Sequence, residues 1–205
     1  MAAPIFTVGH STHSVEEFLE LLRAHDVTAL ADVRSSPYSS YNDQFNREGL
    51  KSDLEKAGIT YVFLGRELGA QSNNPDCYRD GKVQYDRLAQ TQYFQQGLER
   101  LRKGAQKFRI AIMCAEKDPI TCHRMILVCR QIRGDDLDIR HILEDGTAEP
   151  NEHAETRLME EMGLPPEGGL FESREELLET AYDRQGEKIA YKQTKEERER
   201  MQDVR

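Results

Sequence analysis

Between Ile5 and Leu143, short β-rich apolar runs alternate with stretches whose apolar residues recur at helical spacing. The first run, Ile5 to Val8, stops at Gly9-His10-Ser11. Ser14 with Glu17 three residues later makes a capping-box signature for a helix that carries Val15, Phe18, Leu19 and Leu22 on one face. Val27 to Val33 reads as a second strand with Asp32 and Arg34 at its end, followed by a loop of turn-forming residues from Ser35 to Asp43. A helix capped by Asn46 runs to Ala57 with Gly58 just past it, and Tyr61 to Leu64 is a third strand. The polar loop through Gln71 to Asp76 is long enough to cover something. One helix from about Tyr85 to Lys103 precedes a fourth strand at Arg109 to Met113. Asp118-Pro119 then supplies the N-cap and first-turn proline of another helix, whose stripe holds Cys122, Met125, Ile126, Cys129 and Ile132, and the fifth strand lies at Ile139 to Leu143.

This order predicts an α/β fold of three layers: a mostly parallel five-stranded sheet with helices on both faces, since parallel neighbours need crossovers rather than tight hairpins. The carboxyl ends of the strands form one rim, the usual ligand site of an open α/β sheet. His10, Arg34, the loop after Leu64, the Cys114 segment and the loop after Leu143 should gather there.

Residues 1–149 make up the α/β domain. From 150 to 205 the composition shifts, and nine basic against fifteen acidic residues carry −6 of the chain's −9. This segment reads as a charged, mainly helical C-terminal extension, with short helices at Glu152 to Met162 and Ser173 to Tyr182 and an end that frays or stands as a solvated helix. The net charge of −9 argues against an extended nucleic-acid surface, which needs broad positive potential. No apolar run is long enough for a membrane helix and Met1 to Gly9 has no signal-peptide pattern, so a cytoplasmic protein with no membrane partner is expected. Four cysteines in such a chain predict reduced thiols rather than a disulfide framework.

The sharpest constellation is Cys114-Ala-Glu-Lys-Asp-Pro-Ile-Thr-Cys-His-Arg124, which passes from a strand through a loop into a helix start. Unpaired N–H groups and the dipole at such a start favour an anion and a lowered thiol pKa, so Cys114 is a candidate nucleophile; its bland alternative is a small apolar residue closing a buried strand. Glu116 and His123 are the candidate acid and base, although Glu116 can equally stabilise the helix start. Arg124 sits where a cation opposes the dipole, which points it at an anion or at a buried carboxylate such as Asp32 or Glu116. Arg34 is either a second guanidinium on that anion or a salt bridge that fixes its own loop. His10 and Ser11 behind Gly9, and Asn46 with Phe45, complete the candidate binding set. Cys122 and Cys129 fall on the apolar stripe and read as core.

No metal site is assigned. The chain has neither a close cysteine pair nor a paired-histidine helix, and Cys122 and His123, as neighbours on a helix, should point apart. A Walker loop, a dinucleotide fingerprint, a serine elbow and a zinc-deaminase signature are also missing from the sequence.

Thr7-Val-Gly-His-Ser-Thr12, Asp32-Val-Arg34 with Pro37, Gln44-Phe-Asn46, Glu67-Leu-Gly69, and Met113 to Pro119 with Cys122-His-Arg124 together resemble the bacterial and archaeal family catalogued as domain of unknown function 488, over about Ile5 to Gly146. The resemblance implies an α/β domain with shared polar residues in the strand-end loops, and no established reaction. Its pattern falls here on His10, Ser11, Arg34, Pro37, Asn46, Cys114, Glu116, Cys122, His123 and Arg124. The sequence departs from the family at Ala70-Gln71, where relatives often continue with glycine and arginine. The expected function is a small enzyme acting on an anionic ligand or nucleotide at the rim, with Cys114 as nucleophile and cofactor unknown. The alternative is a module that senses a nucleotide or a nucleic-acid end in the same pocket without turnover.

Overall fold

The computed structural model describes residues 4–134, 137–169 and 171–202. Its main sheet contains β1 (Ile5–Gly9), β2 (Ala29–Asp32), β3 (Thr60–Phe63), β6 (Ile110–Cys114), β7 (Ile139–Ile142) and β8 (Ala148–Pro150), in the order β3-β2-β6-β1-β7-β8. The five expected strands all pair in parallel. The three-residue β8, too short to carry an alternation, adds an antiparallel sixth beside β7, so the expected count of five is corrected to six.

Alternation along the strands sorts the core into two layers. Phe6, Val8, Leu30 and Met113 face α1 (Val15–Ala24) and α2 (Arg47–Lys56), whose Phe18, Leu22, Leu50 and Leu54 are buried. Ile5, Ala29, Ala31, Ile112 and Cys114 face the other layer, which includes α5 (Gln92–Ala105), α6 (Asn151–Glu161) and α7 (Arg174–Ile189). Leu158, Met159, Leu178 and Tyr182 of the acidic extension are therefore in the same core as the central strands. The α1 capping box forms as its sequence requires.

Three local expectations are corrected. The helix from Tyr85 to Lys103 is two, α4 (Tyr85–Ala89) and α5, because Thr91 caps Phe94 and restarts the chain. The loop after Leu64 holds a one-turn helix, α3 (Gly65–Leu68), and a small hairpin of β4 (Tyr78–Arg79) and β5 (Lys82–Val83). The helix after Asp118 is a 3₁₀ turn, Pro119–Thr121, then a break at Cys122, a π-helical turn, Arg124–Val128, and a second 3₁₀ turn, Cys129–Gln131. A last helix, α8, spans Lys195–Gln202. No helix of the described residues is long and apolar enough to cross a membrane.

Candidate functional site

In register, Gly9 lies opposite Cys114 and Asp32 opposite Met113, so the three central strands end level with one another. The loop that leaves β6 is pinned there. His10 and Ser11 donate their backbone N–H groups to the carbonyls of Cys114 and Ala115 at 2.9 Å each. Gly9 lies against the same loop: a Cβ added to it would fall 1.9 Å from the Glu116 carbonyl oxygen. Asp118 caps the following 3₁₀ turn through the Ile120 N–H and is itself held by Arg157 of α6 at 3.1 Å.

The loop and the helix start bring four side chains together. One oxygen of Glu116, Oε2, lies 3.1 Å from Cys114 Sγ and 3.0 Å from Cys122 Sγ, and His123 Nδ1 lies 3.4 Å from Cys114 Sγ. One potential ligand atom from each of the four falls within 4.8 Å of all the others. His123 donates its other ring N–H, on Nε2, to the Val33 carbonyl at 3.0 Å, which leaves the Nδ1 lone pair aimed at the cluster. Cys114, Cys122 and His123 are buried, whereas Glu116 is exposed as a residue although its Oε2 points at both sulfurs. The cluster therefore meets solvent at its carboxylate.

Cys122 is the residue that reading the helical stripe misplaced. It has an extended backbone, φ −127° and ψ 141°, and precedes the helical turn instead of lying on it. Its sulfur caps the turn by accepting the Arg124 N–H at 3.4 Å. Because the chain changes direction between them, Cys122 and His123 converge, and the expectation that they point apart is corrected. Cys129 does lie in the core, as the stripe implies.

The electrostatics separate the two sulfurs. Burial pushes the Cys114 thiol well above its usual range, and the neighbouring Cys122 and Glu116 add to the shift. Burial opposes ionisation of Cys122 too, but the hydrogen bond from Cys114 and the Arg124 charge bring it well below the usual thiol range. Burial and the Cys122 charge raise Glu116. His123 is raised: its hydrogen bond and charge interaction with Cys122 outweigh its burial. Among the two sulfurs, Cys122 is thus the first to ionise.

The two arginines are not left facing an open anion cradle. Arg34 binds Asp32 through Nε at 3.0 Å and Nη2 at 2.7 Å, gives Nη2 to the Phe45 carbonyl at 2.9 Å, and reaches His10 Nε2 with Nη1 at 3.2 Å. This is its salt-bridge reading. Arg124 is fully buried and donates to Thr7 Oγ1 at 3.3 Å, to the Lys117 carbonyl at 2.9 Å and to the Glu116 carbonyl. Its expected partner, an anion or a carboxylate, is replaced by the backbone of the loop after β6, which it holds from below. None of these partners carries a charge, so its positive charge acts on the cluster.

Of the remaining candidates, His10 stacks on Phe45 at 4.4 Å between ring centroids, donates Nδ1–H to the Ser11 carbonyl and is lowered to about 4, first by burial and then by Arg34. Ser11 takes a positive φ of 48° in the turn above the loop. Asn46 spends its side-chain oxygen on the Ser39 N–H at 2.7 Å instead of capping α2. His10, Ser11 and Asn46 therefore shape the rim around the cluster without joining it. Tyr85, at the start of α4, is a further neighbour of the cluster: burial first, and then the charges of Cys122, Cys114 and Glu116, raise its hydroxyl above the usual range. A phenol at the first residue of a short helix gives no signal of this in sequence.

On the same rim of the sheet, a cleft of about 480 Å³ opens between the end of β2 and the loop after β3, lined by none of the four cluster residues. Ser35, Arg66, Gln71, Ser72, Asn73 and Tyr93 are among its lining residues. The same backbone serves both: Val33 anchors His123, Gly65 lies against the Arg34 carbonyl, and Ser35 lines the cleft.

The family profile described as Domain of unknown function DUF488 matches residues 14–130, which covers β2, β3, β6 and all four residues of the cluster. No curated protein and no solved structure matches the chain.

Proposed function

This chain belongs to the DUF488 family, whose description names no activity, and from the site itself we propose that it is a small enzyme acting on an anionic substrate at the carboxyl rim of the sheet. The Cys114–Glu116–Cys122–His123 cluster is its reactive centre, with Glu116 as the group that meets the substrate and carries its proton. The observation that carries this reading is the convergence itself: two sulfurs, a carboxylate and an imidazole lone pair, from the two ends of the segment 114–123, meet at one point at the end of the sheet. A core needs none of this, because grouping electron-pair donors without water has a desolvation cost that apolar residues avoid.

An anionic substrate is favoured by two features. Arg124 places a positive charge beneath the loop without a carboxylate among its bonded partners. The cleft adds Arg66 to amide and hydroxyl donors, and the carboxylate in its lining, Glu67, is paired with Arg100, a lining suited to phosphate or carboxylate groups on a polar body.

The test is a turnover screen of nucleotides and phosphorylated metabolites against the native protein, Glu116→Gln and Arg66→Ala. At least one compound should be converted by the native protein, with kcat reduced by about 100-fold or more in Glu116→Gln. In Arg66→Ala, KM should rise while kcat is held. Saturable binding by the native protein with no product from any compound would make this a sensing module and overturn the enzyme.

A further inference from the structure

We infer that Cys114, Cys122 and His123 hold a borderline divalent transition-metal cation of the zinc class, with Glu116 closing the fourth position from the solvent side. The inference deepens the proposed function by naming the cofactor of the same centre, and it rests on that reading only in using the same four residues. It changes the part played by Cys114, from attacking group to metal ligand.

Four observations support it. The spacing fits, because bonds of about 2.0–2.3 Å to nitrogen, oxygen and sulfur set the ligand atoms of a tetrahedral site about 3.3–3.8 Å apart. Here His123 Nδ1 to Cys114 Sγ, at 3.4 Å, falls in that range, the two carboxylate–sulfur pairs, at 3.0 and 3.1 Å, need only open by a few tenths of an ångström, and every pair is within 4.8 Å. The donor set of two sulfurs, one imidazole nitrogen and one carboxylate oxygen suits zinc and its neighbours and is wrong for magnesium or calcium. The second layer is also present: His123 gives Nε2–H to the Val33 carbonyl, which fixes the tautomer that presents Nδ1, and Cys122 accepts the Arg124 N–H.

Charge supplies the fourth. Two thiolates and a carboxylate bring three negative charges to one point, and a divalent cation together with Arg124 cancels them. The Asp32–Arg34 pair is already neutral beside it. Without a cation, donors at these distances must share protons between lone pairs that face one another. Glu116, the exposed member, is the ligand that can yield its place to a water molecule or to an anionic substrate group, as an open catalytic position requires.

The experiment is a titration of the chelator-stripped full chain with Co²⁺, read by absorption, alongside elemental analysis of protein purified without chelator. The native chain should take up one cobalt ion with thiolate-to-cobalt charge-transfer absorption and intense tetrahedral d–d bands. Cys114→Ser and Cys122→Ser should each lower the charge-transfer band by about half, since one of two sulfur bonds is lost. Glu116→Gln should keep that band and alter the d–d pattern, whereas Cys129→Ala, outside the cluster, should leave both unchanged. Absence of charge transfer in the native chain, or a band of undiminished intensity in both serine variants, overturns the metal centre. Turnover that survives in chelator with no cobalt spectrum would sink the metal and keep the enzyme, and a cobalt spectrum with no turnover of any screened compound would do the reverse.

Discussion

At the scale of single residues, His141 shows how hydrogen-bond direction sets a charge. Arg124 donates Nε–H to Thr7 Oγ1, the Thr7 hydroxyl lies 2.8 Å from His141 Nδ1, and His141 Nε2 lies 3.0 Å from Asn151 Oδ1. Asn151 in turn donates to Glu155 at 2.7 Å, as does Tyr182 at 3.0 Å. Read from Arg124, every step runs donor to acceptor only if His141 is neutral with its proton on Nε2. Burial first, and then the Arg124 charge, lower its pKa from 6.5 to about 3. The unfolded chain therefore binds this proton first as pH falls, so the stability that the neutral ring confers is complete above pH 6.5 and declines as pH drops toward 3. The unfolding free energy obtained from denaturant titrations between pH 7 and pH 4 should fall in the native protein, by up to a few kcal/mol. His141→Gln, which keeps a donor toward Asn151 and cannot ionise, should reduce that slope and leave the part that His10, lowered to about 4, contributes; an unchanged slope would show that the His141 ring is not a titrating group. Arg124 is tested in the same assay. Arg124→Gln leaves the Glu116 and Lys117 carbonyls short of donors inside the protein and should cost ~3 kcal/mol or more, with Arg124→Lys recovering part of it.

Among the elements, the segment from Cys114 to Gln131 decides whether there is a site. A regular helix from Pro119 onward would place Cys122 on its stripe toward the core. The 3₁₀ turn capped by Asp118 stops at Thr121, and the π-helical turn starts only after Cys122, so one extended residue swings the sulfur toward Cys114. Irregular turns of this kind recur at functional sites because they re-aim side chains that a regular helix would bury. The opposite wall is β1. A methyl group at Gly9 would overlap the Glu116 carbonyl, so Gly9→Ala should displace the loop and pull Oε2 away from the sulfurs. The expected outcome is a folded protein, by circular dichroism, whose cobalt affinity, followed by the charge-transfer band, is weakened by ~10-fold or more, as happens when support around a metal ligand is lost. Full affinity in Gly9→Ala would mean that the loop holds its shape without β1. These elements also show what the sequence could reveal. Ser14 with Glu17, the five strands and Asp118-Pro119 act through local chemistry, and all were legible. The convergence of Cys122 with Cys114 depends on a single φ, ψ pair inside an apolar run, which periodicity reads as uninterrupted helix. Only the likeness to the family pattern placed Cys122 with the site. For Arg34 and Arg124 the residue type and position were legible, but their partners were not, because Asp32, Phe45, Thr7 and the Lys117 carbonyl come into reach only through the fold.

Across the whole molecule, the acidic extension is bound into the architecture that supports the site. Composition separates residues after 150 from the rest, since −6 of the −9 charge lies there. Among the described residues most of that charge is away from the core, the buried Glu155 excepted, while Leu158, Leu178, Ala181 and Tyr182 are fully buried with the strands. Arg130 and Arg133, next to the cluster's helical turns, bind Glu179 and other acidic residues of α7, so part of the extension's negative charge answers the domain's own cations. The chain of hydrogen bonds through His141 joins the same layers from within and ends on Tyr182 of α7. If α6 and α7 complete the core, loss of packing in α7 must be felt at the central strands. Leu178→Ala, at a fully buried position, should cost ~2–5 kcal/mol. More tellingly, it should shift two probes by the same amount: helix content by circular dichroism, and denaturant-dependent labelling of Cys129, which lies in the core outside the extension. A mutant in which helix content melts early while Cys129 stays protected to the native midpoint would show the extension to be a separable appendage, and the site's second layer would then have to stand without it.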